Sequence, residues 1–200
     1  MPRTSQRGGP ETRRRISDVA TRMFLDRGFD EVTVADVARE AGVSSVTVFK
    51  HFPRKEDLLF DREEDAVEIL RAAVRDRGPG VDVLDSLRRV AFGLLDDRHA
   101  LSGVKDGSIP FFRTVAASPA LIARAREIAA ELQRTLRTLL EDDEEFDGDA
   151  ALCAALVIAG YASVLTETAR RVIEEGMPDP VIEDHRARVT RLFDALRDGL

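Results

Sequence analysis

The chain has 200 residues, 44 % of them hydrophobic and 34 % charged, with a formal net charge of −7. That allows one domain, or a small head on a larger body, with a proper core and a soluble surface. The single cysteine, Cys153, excludes an internal disulfide, and Arg3, Arg7 and Arg13 to Arg15 are followed by no apolar signal region, so a reducing cytoplasm is the expected setting.

Ile16, Val19, Ala20, Met23 and Phe24 recur at helical spacing and predict a helix at about 13–26 with one buried stripe, which Gly28 is placed to end. Before it, an arm of about ten residues is expected to be disordered. Thr33, with Asp36 three residues on, has capping-box spacing. Val34, Val37, Ala38 and Ala41 then share one face of a helix over 34–41. Gly42 supplies a sharp turn through a left-handed backbone that glycine adopts cheaply. Ser44 caps a further helix over 45–52, with Phe49 and Phe52 expected inward and Ser45, Thr47 and Lys50 wet. A short helix, a tight glycine turn and a small-polar helix with cations behind it describe a helix-turn-helix DNA reader.

On these residues the chain resembles the tetracycline-repressor (TetR) family of bacterial transcriptional regulators. The likeness rests on Ile16…Ala20…Phe24, Gly28-Phe29, Val32-Thr33-Val34, Asp36-Val37-Ala38, Ala41-Gly42-Val43-Ser44, Thr47, Phe49, His51-Phe52 and Lys55-Glu56, roughly the first 60 residues. It implies that Ser45, Val46 and Thr47 face base edges, with Val46 or the Thr47 methyl suited to a thymine methyl. Lys50 is expected on a guanine or a phosphate; Thr33, His51 and Lys55 are expected on phosphates, Lys55 near a helix N-terminus. Arg13 to Arg15 are candidates for further backbone or minor-groove contacts. Phe49 stands where the family most often has tyrosine, so its ring is expected to serve packing alone. Ala35 is too short for the base contact some members make there.

Charge is split along the chain. Residues 1–55 hold 11 Lys/Arg against 7 Asp/Glu, and residues 56–200 hold 19 against 30. Phosphate contact needs a basic patch, not a basic protein.

Beyond the head the pattern is all helical. A fourth helix is expected as one rod over 55–77, about 35 Å long, stopped by Gly78-Pro79-Gly80. Asp82 and Asp85 open a fifth helix, residues 98–108 are loose, and Pro110 begins a sixth. Ser118-Pro119 opens a seventh to about Glu141, Asp149 an eighth to Glu175, and Asp179-Pro180 a ninth over about 181–197. The apolar run from Ala150 to Thr166 is rich in alanine and is expected to be a packed helix, not a membrane span.

The fold class expected is therefore all-α: a three-helix DNA-binding head over residues 1–54 and a larger helical body over 55–200. By the resemblance, the body receives a small lipophilic effector, and residues 113–121 look like those of members that accept acyl-CoA-like or related lipophilic molecules. Phe92, His99, Phe111, Phe112, Val115, Leu132, Tyr161 and Leu165 are the candidates to line its site. It also implies a homodimer through the eighth and ninth helices, with Ala155, Ala159, Ala162, Ile182, Val189, Leu192, Phe193 and Leu196 at the interface. Two copies pack as a four-helix bundle, and the twofold implies a pseudo-palindromic operator.

Enzyme chemistry finds little support. His51, His99 and His185 have no partner at metal-ligand spacing, and Cys153 sits in an apolar stripe. Asp143, Glu145 and Asp147 start like a calcium loop, yet its twelfth position is Ala154 instead of glutamate. No metal and no cofactor are expected. The leading expectation is a repressor released by its effector. An activator, a regulator answering to a partner protein, and an all-helical enzyme or interaction module are the rivals.

Overall fold

The computed structural model describes residues 9–105 and 107–199. The expectation of a disordered arm falls mainly on residues 1–8, outside them. The described residues form nine α-helices and two 3-10 turns, with no strand, and they divide into two compact units.

The first unit comprises residues up to Asp61 together with Arg113–Arg124. It holds α1 (Gly9–Arg27), α2 (Val34–Glu40) and α3 (Ser45–His51). Ile16, Ala20, Phe24, Val37, Val48, Phe52 and Leu58 are buried in it, so the apolar stripes read from the sequence close on one another.

The expected 23-residue rod does not form. Residues 56–58 make a single 3-10 turn, and α4 runs only from Glu63 to Arg75. Long-range contacts break it. Leu58 and Leu59 are buried, the Ser17 hydroxyl donates to the Asp61 carboxylate, and the Asp61 carbonyl accepts from Arg13 at 3.4 Å. These contacts tie Asp61 to α1, within the turn that separates the 3-10 segment from α4. The boundary expected after residue 54 accordingly lies after Asp61.

The second unit comprises 62–112 and 125–200. It contains α4, α5 (Val83–Asp96), α8 (Ala150–Glu175), α9 (Asp179–Gly199), the opening of α6 (Ser108–Ala117) and most of α7 (Pro119–Glu141). Asp82 and Asp149 cap α5 and α8 with their carboxylates, as their spacing suggests. Leu87, Ala91, Leu136, Leu140, Cys153, Val157, Val189 and Phe193 form the core. Burial pushes the Cys153 thiol up to about 11.

Candidate nucleic-acid interface

The α2–turn–α3 segment is built from local hydrogen bonds, beginning at the cap of α2. Thr33 Oγ1 accepts the Asp36 amide at 3.1 Å, and Asp36 Oδ2 accepts the Thr33 amide at 3.1 Å, a complete capping box. The Thr33 hydroxyl, then Arg39, hold the Asp36 carboxyl down at about 2. Gly42 turns the chain at φ +67°. Ser44 Oγ accepts the Thr47 amide at 3.1 Å, and the two hydroxyls lie 2.9 Å apart. Thr47 is thus oriented by the cap of its own helix.

One face of α3 is committed and the other is open. Val48 and Phe52 are buried, whereas Val46 is 79 % exposed and Phe49 50 % exposed. Phe49 is therefore not a core residue: Val48 and Phe52, four apart, take the inward positions and leave Phe49 turned out. Lys50 is exposed beside it, and Ser45, Thr47 and His51 are half-buried. An uncovered valine and phenylalanine within one turn, next to a cation, form a surface able to meet thymine methyls and a phosphate.

Lys55 is held inside this unit. Its ammonium donates to the Phe29 carbonyl at 2.6 Å and lies 4.1 Å from the Phe29 ring centre and 5.7 Å from that of Phe24. Desolvation lowers its pKa, while Asp30 and Glu56 oppose the shift. Arg13 is likewise engaged, its guanidinium 4.6 Å from the Phe52 ring centre, while Arg14 and Arg15 are exposed. Sequence reasoning missed this packing role, and it missed the contacts by which residues 113–124 join the head. Ser118 Oγ donates to Asp30 Oδ1 at 3.3 Å, and Arg124 Nε donates to Asp57 Oδ1 at 2.8 Å. Both pairs lie 60 or more residues apart in the chain, and no local pattern announces them.

In the second unit, several expected effector residues gather about the 3-10 turn Ala100–Ser102. His99 Nδ1 accepts the Leu101 amide at 3.3 Å, and the Tyr161 hydroxyl, its pKa raised by burial to about 12, donates to the Leu101 carbonyl at 3.3 Å. A side chain at Gly103 would lie 3.0 Å from Leu165 and 3.5 Å from Phe112. Phe111 packs edge-on to Phe112 at 5.7 Å between ring centres. Phe92 lies under the guanidiniums of Arg88 and Arg186, and Leu132 is half-buried on α7. Val115 is counted with the first unit, on the same α6 that carries Phe111 and Phe112. An open cleft of about 300 Å³ lies elsewhere, by Val74, Arg77, Pro79, Leu139, Asp143 and Glu145, and none of the expected effector residues lines it.

Of the expected interface residues, Val189, Phe193 and Leu196 are buried in the chain's own core and are unavailable to a partner. Their stripe on α9 is used against α5 and α8. Ile182, Leu192, Ala155 and Ala162 are half-buried, and Ala159 is exposed. The large apolar residues that α8 turns outward are Leu152 and Leu156, neither of them among the residues expected at the interface.

The family model of bacterial regulatory proteins of the tetR family matches residues 16–61. The uncharacterized HTH-type transcriptional regulator TtgW of Pseudomonas putida is 37 % identical over 108 residues, half of this chain and 72 % of its own length. The HTH-type transcriptional regulator TcmR of Streptomyces glaucescens is 27 % identical over 82 % of this chain and 74 % of its own. Against AcrR of Shigella flexneri the chain spans about half the relative's length, 46 % at 30 % identity. Among solved structures, FadR of Thermus thermophilus, a TetR-family repressor in complex with lauroyl-CoA, superposes over 94 % of both chains. Its TM-score is 0.57 and its identity 24 %. NalD of Pseudomonas aeruginosa, the secondary repressor of the MexAB-OprM multidrug efflux pump, covers 98 % of both chains at TM-score 0.58 and 16 % identity. With a capped helix-turn-helix whose outer α3 face stands open, this chain belongs to the TetR family of helix-turn-helix transcriptional regulators.

Proposed function

We propose that the protein is a homodimeric repressor released from a pseudo-palindromic operator by a small lipophilic effector. The observation that carries it is the outward face of α3, where Val46 is 79 % exposed among capped, ordered neighbours. An apolar side chain left in water on a rigid short helix is suited to a groove lined by methyl groups. Ser45, Val46 and Thr47 read bases, Lys50 reaches a guanine or phosphate, and Thr33, His51 and Lys55 hold phosphates. Phe49 joins the reading face.

The dimer rests on α8. Only 22 % of its most apolar stretch is buried inside the chain, and Leu152 (48 % exposed), Leu156 (42 % exposed) and Ala159 leave an apolar strip outward. A strip of that kind is expected to be covered by a second copy. The protein acts in the cytoplasm, beside the DNA it reads.

Effector release follows from population shift: a ligand favouring the arrangement that fits DNA less well lowers operator occupancy. Operator DNA must then weaken effector binding by the same factor. The test is recovery of chromosomal fragments by the purified full-length protein, followed by gel shift with and without lauroyl-CoA as the first effector probe. Retarded bands that lauroyl-CoA abolishes are the expected result. Free DNA alone, at low ionic strength and across all fragments, sinks the DNA-binding reading.

A further inference from the structure

The α6–α7 corner grips both segments that hold Lys55. Ser118, buried, bonds Asp30, and Asp30 follows Phe29, whose carbonyl accepts the Lys55 ammonium. Arg124, also buried, bonds Asp57, two residues past Lys55. The other Asp57 oxygen accepts the Arg54 amide at 3.1 Å, so the same carboxylate fixes the turn on which Lys55 sits. Leu121, between the two grips, is fully buried. The side chains of Arg124 and Asp57 are 10 % and 18 % exposed. A pair this sheltered is a poor device for stability alone, because desolvation offsets much of the attraction. Its geometry points to placement.

We infer that Arg124 is a positioning residue for DNA binding: through Asp57 it sets the turn from which Lys55 meets a phosphate. This rests on the reading that Lys55 holds a phosphate. The helix bearing Arg124 continues to Glu141, so a displacement of α7 along its axis is delivered to Asp57 and then to Lys55. Regulation would thereby act on phosphate grip, a sequence-independent contribution, before it acts on base reading.

The experiment uses the full-length protein and a random-sequence duplex, with affinity measured by fluorescence anisotropy over a series of salt concentrations. Lys55→Ala should flatten the salt slope by about one unit. Arg124→Gln should flatten it by a similar amount and should add nothing in the Lys55→Ala background. Arg126→Gln, which removes the same charge from an exposed neighbour, should leave the slope unchanged. If Lys55→Ala leaves binding intact, the phosphate reading fails and the inference falls with it. If Lys55→Ala weakens binding while Arg124→Gln does not, or the two effects add, the positioning role alone is overturned. Should Arg124→Gln melt below the assay temperature, Asp57→Asn takes its place. That change removes a negative charge while keeping an acceptor for the Arg54 amide. Simple electrostatics predicts tighter binding, lost positioning predicts weaker binding, and tighter or unchanged binding overturns the inference.

Discussion

Lys55 and Phe29 meet twice: the ammonium donates to the Phe29 carbonyl at 2.6 Å and lies 4.1 Å from the centre of its ring. One cation therefore closes the loop after α1. Lys55→Met, which keeps the aliphatic stem, should lower unfolding free energy by roughly 2–4 kcal/mol, the sum of a hydrogen bond to a charged donor and a cation–π contact. Urea unfolding monitored by circular dichroism measures it; an unchanged midpoint would remove Lys55 from the head's architecture.

Val46 should separate recognition from stability. At 79 % exposure its truncation removes little buried surface, so Val46→Ser should change stability by no more than about 0.5 kcal/mol. Operator affinity should nonetheless fall by about 1 kcal/mol or more, with relaxed preference for thymine at the contacted position. Replacing that thymine by uracil should weaken the wild type and leave Val46→Ser indifferent. Equal sensitivity of the two proteins to the methyl group contradicts the assignment.

Gly160 on α8 faces Leu192 on α9. A Cβ there would lie 2.3 Å from Leu192 Cδ1 and 3.3 Å from Leu192 Cγ. Alanine normally stabilises a helix interior over glycine by about 1 kcal/mol, whereas overpacking costs typically about 1–3 kcal/mol. The clash should win, because Cγ cannot swing clear without moving the rest of the side chain. Gly160→Ala is expected to lower the melting temperature, and Leu192→Ala in the same chain to recover part of the loss. A melting temperature raised by Gly160→Ala alone contradicts the packing described.

His185 should contribute a pH dependence to the second unit. The ring is fully buried, Nδ1 lies 2.8 Å from Thr168 Oγ1, and Nε2 has no protein partner. Desolvation lowers its pKa to about 4, with Asp184 opposing and Arg186 assisting. The unfolded chain takes up the proton near 6.5 and the native state does not until about 4. Stability is thus full above 6.5, is lost as pH falls through that window, and levels off below it for this group. The loss should reach up to about 3 kcal/mol. Urea midpoints between pH 7 and 5 should fall in the wild type and stay nearly flat in His185→Gln; parallel slopes would assign the dependence to other groups.

The helix-turn-helix was legible because its determinants are local. Thr33 with Asp36, Gly42 and Ser44 with Thr47 all act within four residues, so spacing alone gives the caps and the turn. The break before α4 was not, because it depends on Ser17 and Arg13 reaching Asp61 across more than 40 residues. Phe49 was misplaced by a single helical step: its apolar character matches the core, yet Val48 and Phe52 own the inward positions. On α9 the periodicity correctly identifies a buried stripe, but it cannot say whose chain buries it. Val189, Phe193 and Leu196 proved to serve their own unit, which left the outward residues of α8 as the surface a second copy would need.

The lone thiol of Cys153 amounts to a built-in gauge of breathing. Buried in the core of the second unit and held protonated near neutrality, it can react with an alkylating dye only when that core opens. The labelling rate of the unmodified chain therefore counts opening events directly, without an engineered probe and without a second cysteine to confuse the signal.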